Sequence, residues 1–336
     1  MNIKQIAKAA GVSVATVSRV LNHPESVAEA TREKVLKIMK EEEYKPNWFA
    51  QGLNSKKTRT IGLLIPNTLH STYMEIASGV EEVAYQKGYA TFMCNTEKVP
   101  EAEKEYIQQL VHRKVDGLVL MFSSLDESYM NWIREEKIPA VIIGQNELDD
   151  SWNSVICDCR AATAQMVAHL LECGHKSVGI LCGSDPKLET RDMLIGFKNV
   201  MKASGIPAEE RHIMWVENSV EGGYLGVKKM KETGLPEAIF ATSDEIAYGA
   251  MDALKDAGLR IPEDVAIAGF GNNRMSNLIE PKLTTIEAPL RKMGIYGARL
   301  LFDLIEDKEG ERHITLQTKL RIRKSCGHKD RIGEMF

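Results

Sequence analysis

The chain has 336 residues, of which 43% are hydrophobic, 27% charged and 6% aromatic, enough for two or three domains each with a sizeable core. The formal net charge of −4 hides an asymmetry: residues 1–60 carry 11 basic and 6 acidic side chains, a net of +5, which leaves −9 on the remainder. No apolar run reaches the length of about 18 residues that a membrane span needs. MNIKQIAKAAGV has no apolar core of the signal-peptide kind, so a cytoplasmic protein without membrane association is expected.

In chain order, the first 45 residues read as three short helices. Ile3, Ile6, Ala7 and Ala10 share one helical face, and Gly11 ends that helix. Ser13 suits the N-cap of a second helix, VATVSRVLN, with Val14, Val17, Val20 and Leu21 facing inward. Asn22-His23-Pro24 stops it. Thr31 to Glu43 reads as a third amphipathic helix through Val35, Leu36, Ile38 and Met39. Helix, glycine turn and helix at this length is the helix-turn-helix pattern. WFAQGLNS (48–55) allows one or two helical turns, and Ser55 to Thr60 reads as a polar, basic linker.

Beyond residue 60, short apolar runs alternate with amphipathic helices. IGLLI (61–65), ATFMCN (90–95), VDGLVLM (115–121) and PAVIIG (139–144) form one series. KSVGILCG (176–183), HIMWVE (212–217), EAIFATS (237–243) and DVAIAGFG (264–271) form another, beginning after Asp158. Helices are expected over 75–86, 101–112, 127–136, 161–172, 190–203, 220–232, 244–257 and 290–305. Continuous apolar strands between helices indicate a parallel sheet covered on both faces, here twice over. PKLTTIEAP and HITLQTKLRIRKSC are extended and could complete either sheet. No heptad follows Cys326, so no coiled-coil tail is indicated.

Six scattered cysteines include no CxxC, and the eight histidines show no metal-ligand spacing. Neither a metal nor a cofactor is expected, and buried inert thiols are the simple reading. The enzyme motifs GxxxxGK[ST], HExxH and GxSxG are missing, and GFG (269–271) lacks the third glycine of a dinucleotide fingerprint.

The second helix leaves Ala15, Thr16, Ser18, Arg19 and Asn22 outward. In a major groove, Arg19 is a bidentate donor for guanine, Thr16 or Ser18 reaches phosphate, and Ala15 and Val14 meet a thymine methyl. A merely solvated face of a small helical bundle is the other reading of the same spacing. IKQIAKAAGVSVATVSRVLN together with TREKVLKIMKEEEYKPNWFAQGLNSKKTRTIGLLIPN resembles the amino-terminal signature of the LacI/GalR family of bacterial transcriptional regulators, densely over residues 3–67 and more loosely to about 326.

That resemblance implies an α/β protein in parts. Residues 1–46 would be the helix-turn-helix head and 47–60 a hinge helix and linker. Two doubly wound parallel-sheet subdomains of periplasmic-binding-protein type would take 61–158 with 289–317, and 159–288 with 318–326; a tail (327–336) follows. It implies a homodimer on a palindromic double-stranded operator. Val14, Ala15 and Arg19 match base-reading positions, and Thr16, Ser18, Asn22 and Thr31 match phosphate-contacting ones. Asn47 opens the hinge, Ala50 approaches the minor-groove floor, and Leu53 wedges into a base step.

A small effector would sit between the subdomains. Polar residues at the C-terminal ends of strands are the expected contacts: His70, Thr72, Tyr73, Ser123, Gln145, Asn218, Asp244 and Asn272. Asp158 and Arg191 (in RDMLIGF) resemble the family's ligand-holding Asp and Arg. Two positions depart from the pattern, since Gly271 and Asn272 stand where members often carry Asp, and Asn218 where many carry an aromatic ring. Tyr73 or Trp152 would then have to supply any stacking face, while Asp244 could simply cap a helix. The implied activity is effector-controlled repression, with a sugar or sugar derivative as inducer. A corepressor, either a purine or a phosphocarrier protein, is the other reading, and a periplasmic-type sugar-binding protein a remote one.

Overall fold

The computed structural model describes residues 2–22, 24–42, 57–123, 125–144, 152–183, 188–308 and 312–328. The chain divides into two units, residues 1–60 with 113–116, and residues 61–112 with 117–336.

The first unit holds α1 (Ile3–Ala10), α2 (Val14–Asn22), a 3-10 turn (Pro24–Ser26) and α3 (Glu29–Glu41). Asn2 starts α1 through a capping box: its side chain accepts from Gln5 N at 3.0 Å, and its own N–H donates to Gln5 Oε1 at 2.7 Å. Gly11 closes α1 at φ 66°, the left-handed conformation that glycine adopts without steric cost. Ser13 Oγ then accepts from Thr16 N at 3.1 Å and launches α2. Ile6, Ala7, Ala10, Val17, Val20, Val35 and Met39 form the core. Val14 is not part of it: it stands 40% exposed, because the first position of α2 lies beyond the reach of α1 and α3. Leu36 likewise faces outward, and α3 starts two residues before Thr31. Asp116 accepts from Thr58 N (2.8 Å) and Arg59 N (3.0 Å).

The second unit contains two six-stranded sheets. The strands are β1 (Thr60–Ile65), β2 (Ala90–Asn95), β3 (Gly117–Met121), β4 (Ala140–Ile143), β5 (Ser154–Cys157), β6 (Val178–Gly183), β7 (Ile213–Val216), β8 (Ala238–Ala241), β9 (Ala266–Phe270), β10 (Thr284–Glu287), β11 (His313–Leu316) and β12 (Lys319–Arg321). The helices are α4 (Ser71–Gln86), α5 (Pro100–His112), α6 (Glu127–Glu135), α7 (Cys159–Glu172), α8 (Leu188–Ala203), α9 (Val220–Thr233), α10 (Asp244–Asp256) and α11 (Leu290–Ile305).

One sheet has the order β11-β5-β4-β3-β1-β2 and the other β12-β10-β9-β8-β6-β7. The β1–β3, β3–β4, β4–β5 and β5–β11 pairs are parallel in the first. The second is parallel except for β12, which runs antiparallel to β10. The central strands are buried along nearly their whole length, as their unbroken apolar runs require when helices cover both faces. Each fully buried Leu, Ile or Phe side chain adds about 1.5–3 kcal/mol of hydrophobic stabilisation.

Two departures from the sequence reading matter. β5 was not foreseen, since four residues of Ser-Val-Ile-Cys carry too little pattern to stand out from a loop. Helices α4, α7 and α8 start two to four residues earlier than their apolar periodicity suggests, at Ser71, Cys159 and Leu188. The first turns of α4 and α8 carry Thr72, Tyr73, Glu189 and Thr190, which line a cavity.

Candidate functional site

The parallel strands of both sheets release their chains at one end, and a cavity of about 110 Å³ lies there. Gly183 closes β6, Phe270 and Gly271 close β9, and Cys157 closes β5; all three strand ends line the cavity. Asn218, Thr242 and Ser243 follow β7 and β8, and Phe122 and Ala288 follow β3 and β10. His70, Thr72 and Tyr73 come from the start of α4, Glu189, Thr190 and Met193 from the start of α8, and Leu290 and Met293 from the start of α11. Strand ends and helix starts converge in this way because every crossover of a parallel sheet turns on the same side.

Four predicted effector residues therefore line the cavity together: His70, Thr72, Tyr73 and Asn218. The His70 ring lies 5.0 Å from that of Tyr73, which lies 5.3 Å from Phe122. Neither nitrogen of His70 has a hydrogen-bond partner among the described residues, and Nε2 is 3.9 Å from Glu245 Oε1. Burial lowers the His70 pKa below its ordinary value, with Glu245 opposing. Asn218 Oδ1 accepts from Ser243 Oγ at 2.6 Å, and Thr242 Oγ1 accepts from Gly183 N at 2.9 Å, so this wall is pre-organised. Cys157 and Cys159 bring their sulfurs to 3.5 Å, and that neighbouring thiol together with burial holds Cys159 well above the usual thiol range.

The other predicted effector residues sit beside lining residues without lining the cavity. Asp158, between Cys157 and Cys159, caps α7 by accepting from Ala161 N at 2.9 Å. Arg191 is exposed in the first turn of α8, between Thr190 and Met193. Ser123 follows Phe122 and its Oγ accepts from Leu125 N at 3.3 Å. Asn272 follows Gly271 with φ 57°, and its side chain accepts from Arg323 Nη2 at 2.6 Å. Gln145 lies outside the described residues. Of the two candidate stacking rings, Tyr73 lines the cavity, whereas Trp152 packs 4.7 Å beneath the Arg134 guanidinium.

Asp244 is fully buried, and Ser243, not Asp244, is the N-cap of α10. Its carboxylate accepts from Thr285 Oγ1 (2.5 Å), Ser276 Oγ (2.7 Å) and Asn273 N (2.7 Å). Burial raises its pKa, with those hydrogen bonds opposing. Gly269 makes room for it, because a Cβ there would come within 2.5 Å of Asp244 Oδ1. The GFG sequence thus accommodates a carboxylate rather than a phosphate.

Strand-end reasoning missed Glu189, Thr190, Thr242 and Ser243. Thr242 and Ser243 were legible, since they directly follow the apolar stretch of β8; choosing Asp244 went one residue too far.

In the first unit, Val14, Ala15 and Arg19 are exposed on α2, while Thr16 and Ser18 are half-buried on it. Thr16 pairs its hydroxyl with Ser13 Oγ at 2.9 Å. Asn22 ends α2, and Thr31 is half-buried in the first turn of α3. Val14 and Arg19 are thus both left out of the small core. Asn47, Ala50 and Leu53 lie outside the described residues.

A helix-turn-helix unit and a body with a polar cavity at the strand ends define the class of a ligand-responsive DNA-binding regulator. Comparison with known proteins gives the family. Residues 2–47 match the model for bacterial regulatory proteins of the lacI family, and residues 58–324 that for periplasmic binding proteins and the sugar-binding domain of the LacI family. Catabolite control protein A of Staphylococcus xylosus is 32% identical over 96% of this chain and 98% of its own. The HTH-type transcriptional repressor PurR of Vibrio vulnificus is 32% identical over 93% and 94%. The Lac repressor dimer bound to operator and the anti-inducer ONPF superposes with a TM-score of 0.88 at 27% identity, over 97% of this chain and 99% of that one. A CelR–cellobiose complex gives 0.74 at 26% identity, over the same shares. The chain belongs to the LacI family and is a DNA-binding transcriptional regulator with an effector-binding domain. No helix among the described residues is long and apolar enough to cross a membrane.

Proposed function

We propose that this regulator is a cytoplasmic repressor, not an enzyme, acting as a homodimer on a palindromic operator from which a neutral sugar or sugar derivative releases it. The observation that carries the ligand class is the cavity lining. Thr72, Thr190, Thr242, Ser243, Asn218, Glu189 and His70 share the lining with Tyr73, Phe122 and Phe270, and no Lys or Arg is among the described lining residues. Hydroxyl partners beside apolar ring faces suit a polyol, whereas a phosphate would call for cationic donors. Solved relatives described as holding cellobiose and ribose support the same class.

In this reading Val14, Ala15 and Arg19 meet base edges, and Thr16, Ser18, Asn22 and Thr31 meet phosphates. Asn47, Ala50 and Leu53 act in the minor groove from a hinge at 47–60. The body divides at 61–158 with 289–317 and at 159–288 with 318–326, a division supported by the placement of β11 in one sheet and β12 in the other. Ligand binding shifts the population between subdomain arrangements that favour and disfavour the operator-bound dimer. Titrating neutral mono- and disaccharides into an operator-binding assay tests this: at least one should weaken binding. Strengthened binding would assign a corepressor instead, and no response to any sugar or purine would refute the ligand-controlled reading.

A further inference from the structure

Away from the cavity lining, α7 and the end of the described chain bring four metal-ligating side chains together. His169 and Cys173 are one helical turn apart and share a face near the C-terminal end of α7. The 3-10 turn Lys324–Cys326 sets Cys326 against that face. Gly327, at φ 77°, then reverses the chain so that His328 returns to it.

His169 Nε2 lies 3.4 Å from Cys326 Sγ and 3.6 Å from Cys173 Sγ, and Cys173 Sγ lies 3.8 Å from His328 Nδ1. The ligand atoms of His169, Cys173 and Cys326 all fall within 4.8 Å of one another. A tetrahedral zinc with Zn–S near 2.3 Å and Zn–N near 2.0–2.1 Å sets its ligand atoms about 3.6 Å apart for N and S, and about 3.8 Å apart for two sulfurs. The His169–Cys326, His169–Cys173 and Cys173–His328 separations sit within about 0.2 Å of the N–S value, and closing the site requires only that His328 move toward His169 and Cys326. Cys326 Sγ also donates to the Arg323 carbonyl oxygen at 3.4 Å, but such a hydrogen bond does not explain why two thiols and an imidazole converge with a second imidazole at Cys173. His175 adds a supporting contact, its Nε2 lying 2.9 Å from the carbonyl oxygen of Cys326. His169 and Cys326 are buried while His328 is exposed, so its ring can turn onto a metal and the site has an entry path.

We propose that His169, Cys173, Cys326 and His328 form a structural zinc site. Two sulfurs and two imidazole nitrogens select zinc over the oxygen-preferring magnesium and calcium. Four protein ligands leave no open position, so the metal has a fastening role and no catalytic one. It fastens residues 324–328 to α7 across a sequence separation of 157 residues between Cys326 and His169. Sequence spacing cannot reveal it, because the pairs are HxxxC and CxH in remote segments.

The test is titration of the reduced, chelator-treated full-length protein with Co(II), followed by displacement with zinc. A single equivalent should give tetrahedral ligand-field bands and thiolate-to-cobalt charge transfer, and zinc should abolish both. Cys173→Ser should lose about half of the charge-transfer intensity, because Cys326 remains as the other thiolate. His328→Ala, at an exposed position that leaves the fold intact by circular dichroism, should weaken zinc binding at least about tenfold and remove the zinc-induced rise in Tm. The proposal is overturned by no stoichiometric binding, by a six-coordinate spectrum without charge transfer, or by binding indifferent to both substitutions.

Discussion

Asp244→Ala separates a framework role from a ligand-binding one. Three donors converge on this buried carboxylate: Thr285 Oγ1, Ser276 Oγ and Asn273 N. Ser276 keeps a second partner after the substitution, the Tyr248 hydroxyl at 2.8 Å. Thr285 Oγ1 and the Asn273 amide lose their acceptor. At about 1–3 kcal/mol for each buried donor left unsatisfied, the loss is about 2–6 kcal/mol. Part of it is offset, because burial already raises the Asp244 pKa and so penalises the ionised carboxylate that the substitution removes. The lower half of the range, about 2–4 kcal/mol, is the expected net loss. Urea unfolding of the full-length protein reads this as a lower midpoint for the body, and calorimetric titration with an inducing sugar should show nearly unchanged affinity in the surviving folded protein. Asp244→Asn, which keeps the shape and one acceptor, should lose less. Stability within about 0.5 kcal/mol of wild type, the scatter of ordinary surface substitutions, together with lost sugar affinity would refute the reasoning and return Asp244 to the ligand.

Arg19→Ala should cost about 1–3 kcal/mol on the preferred operator and relax base preference at one position of each half-site. An equal loss on all sequences in competition binding would reassign Arg19 to phosphate. Arg191, exposed beside the lining residue Thr190, should leave both the sugar response and operator affinity unchanged when replaced by alanine, whereas a lost sugar response in the operator titration would bring Arg191 within the ligand's reach and argue for an anionic ligand. For His70 the sign follows from burial, which holds its folded-state pKa below its ordinary value. As pH falls below about 6.5 the unfolded chain takes up this proton first, so stability drops on acidification and recovers as pH rises through the window from the folded pKa to about 6.5. His70→Asn should flatten that part of the Tm–pH curve, and parallel curves for the two proteins would contradict the assignment.

The sheets were legible because both faces of each central strand are covered, which leaves continuous runs such as Ile61–Ile65 and Ala238–Ala241 bounded by polar residues. The outward face of α2 was legible for a related reason: a short helix on a small core has few inward positions, so Arg19 must point out. The cavity was only half legible. A polar residue after a strand marks the right end of a sheet, but the backbone at each strand end decides which of two neighbours turns inward. After β8 the chain turns Ser243 inward as the cap of α10 and sends Asp244 down beside Gly269. Glu189 and Thr190 were hidden because the polar first turn of α8 weakens its helical periodicity. The sulfur and imidazole cluster was illegible, since its ligands come from segments that only the second sheet's folding brings together.

The cavity's position bears on how occupancy becomes a change of shape. The chain crosses between the two sheets three times: from β5 into α7 at residues 157–159, from β10 into α11 at 287–290, and from β11 to β12 at 316–319. Two of these crossings are also cavity walls, Cys157 and Cys159 in the first and Ala288 and Leu290 in the second. A ligand seated against Thr72 and Tyr73 on one side and Thr242 and Ser243 on the other therefore rests on the segments that join the two sheets. Its contacts need not be relayed through a core to alter the angle between the sheets; they act at the joining segments. A ligand shifts such an equilibrium only by its difference in affinity for the two arrangements. Contacts spanning both sheets there supply that difference directly, because a change of angle alters one set of distances relative to the other. The polar residues of α4 and α10 that face each other, His70 and Glu245 at 3.9 Å, are the first such pair a rotation would lengthen or close.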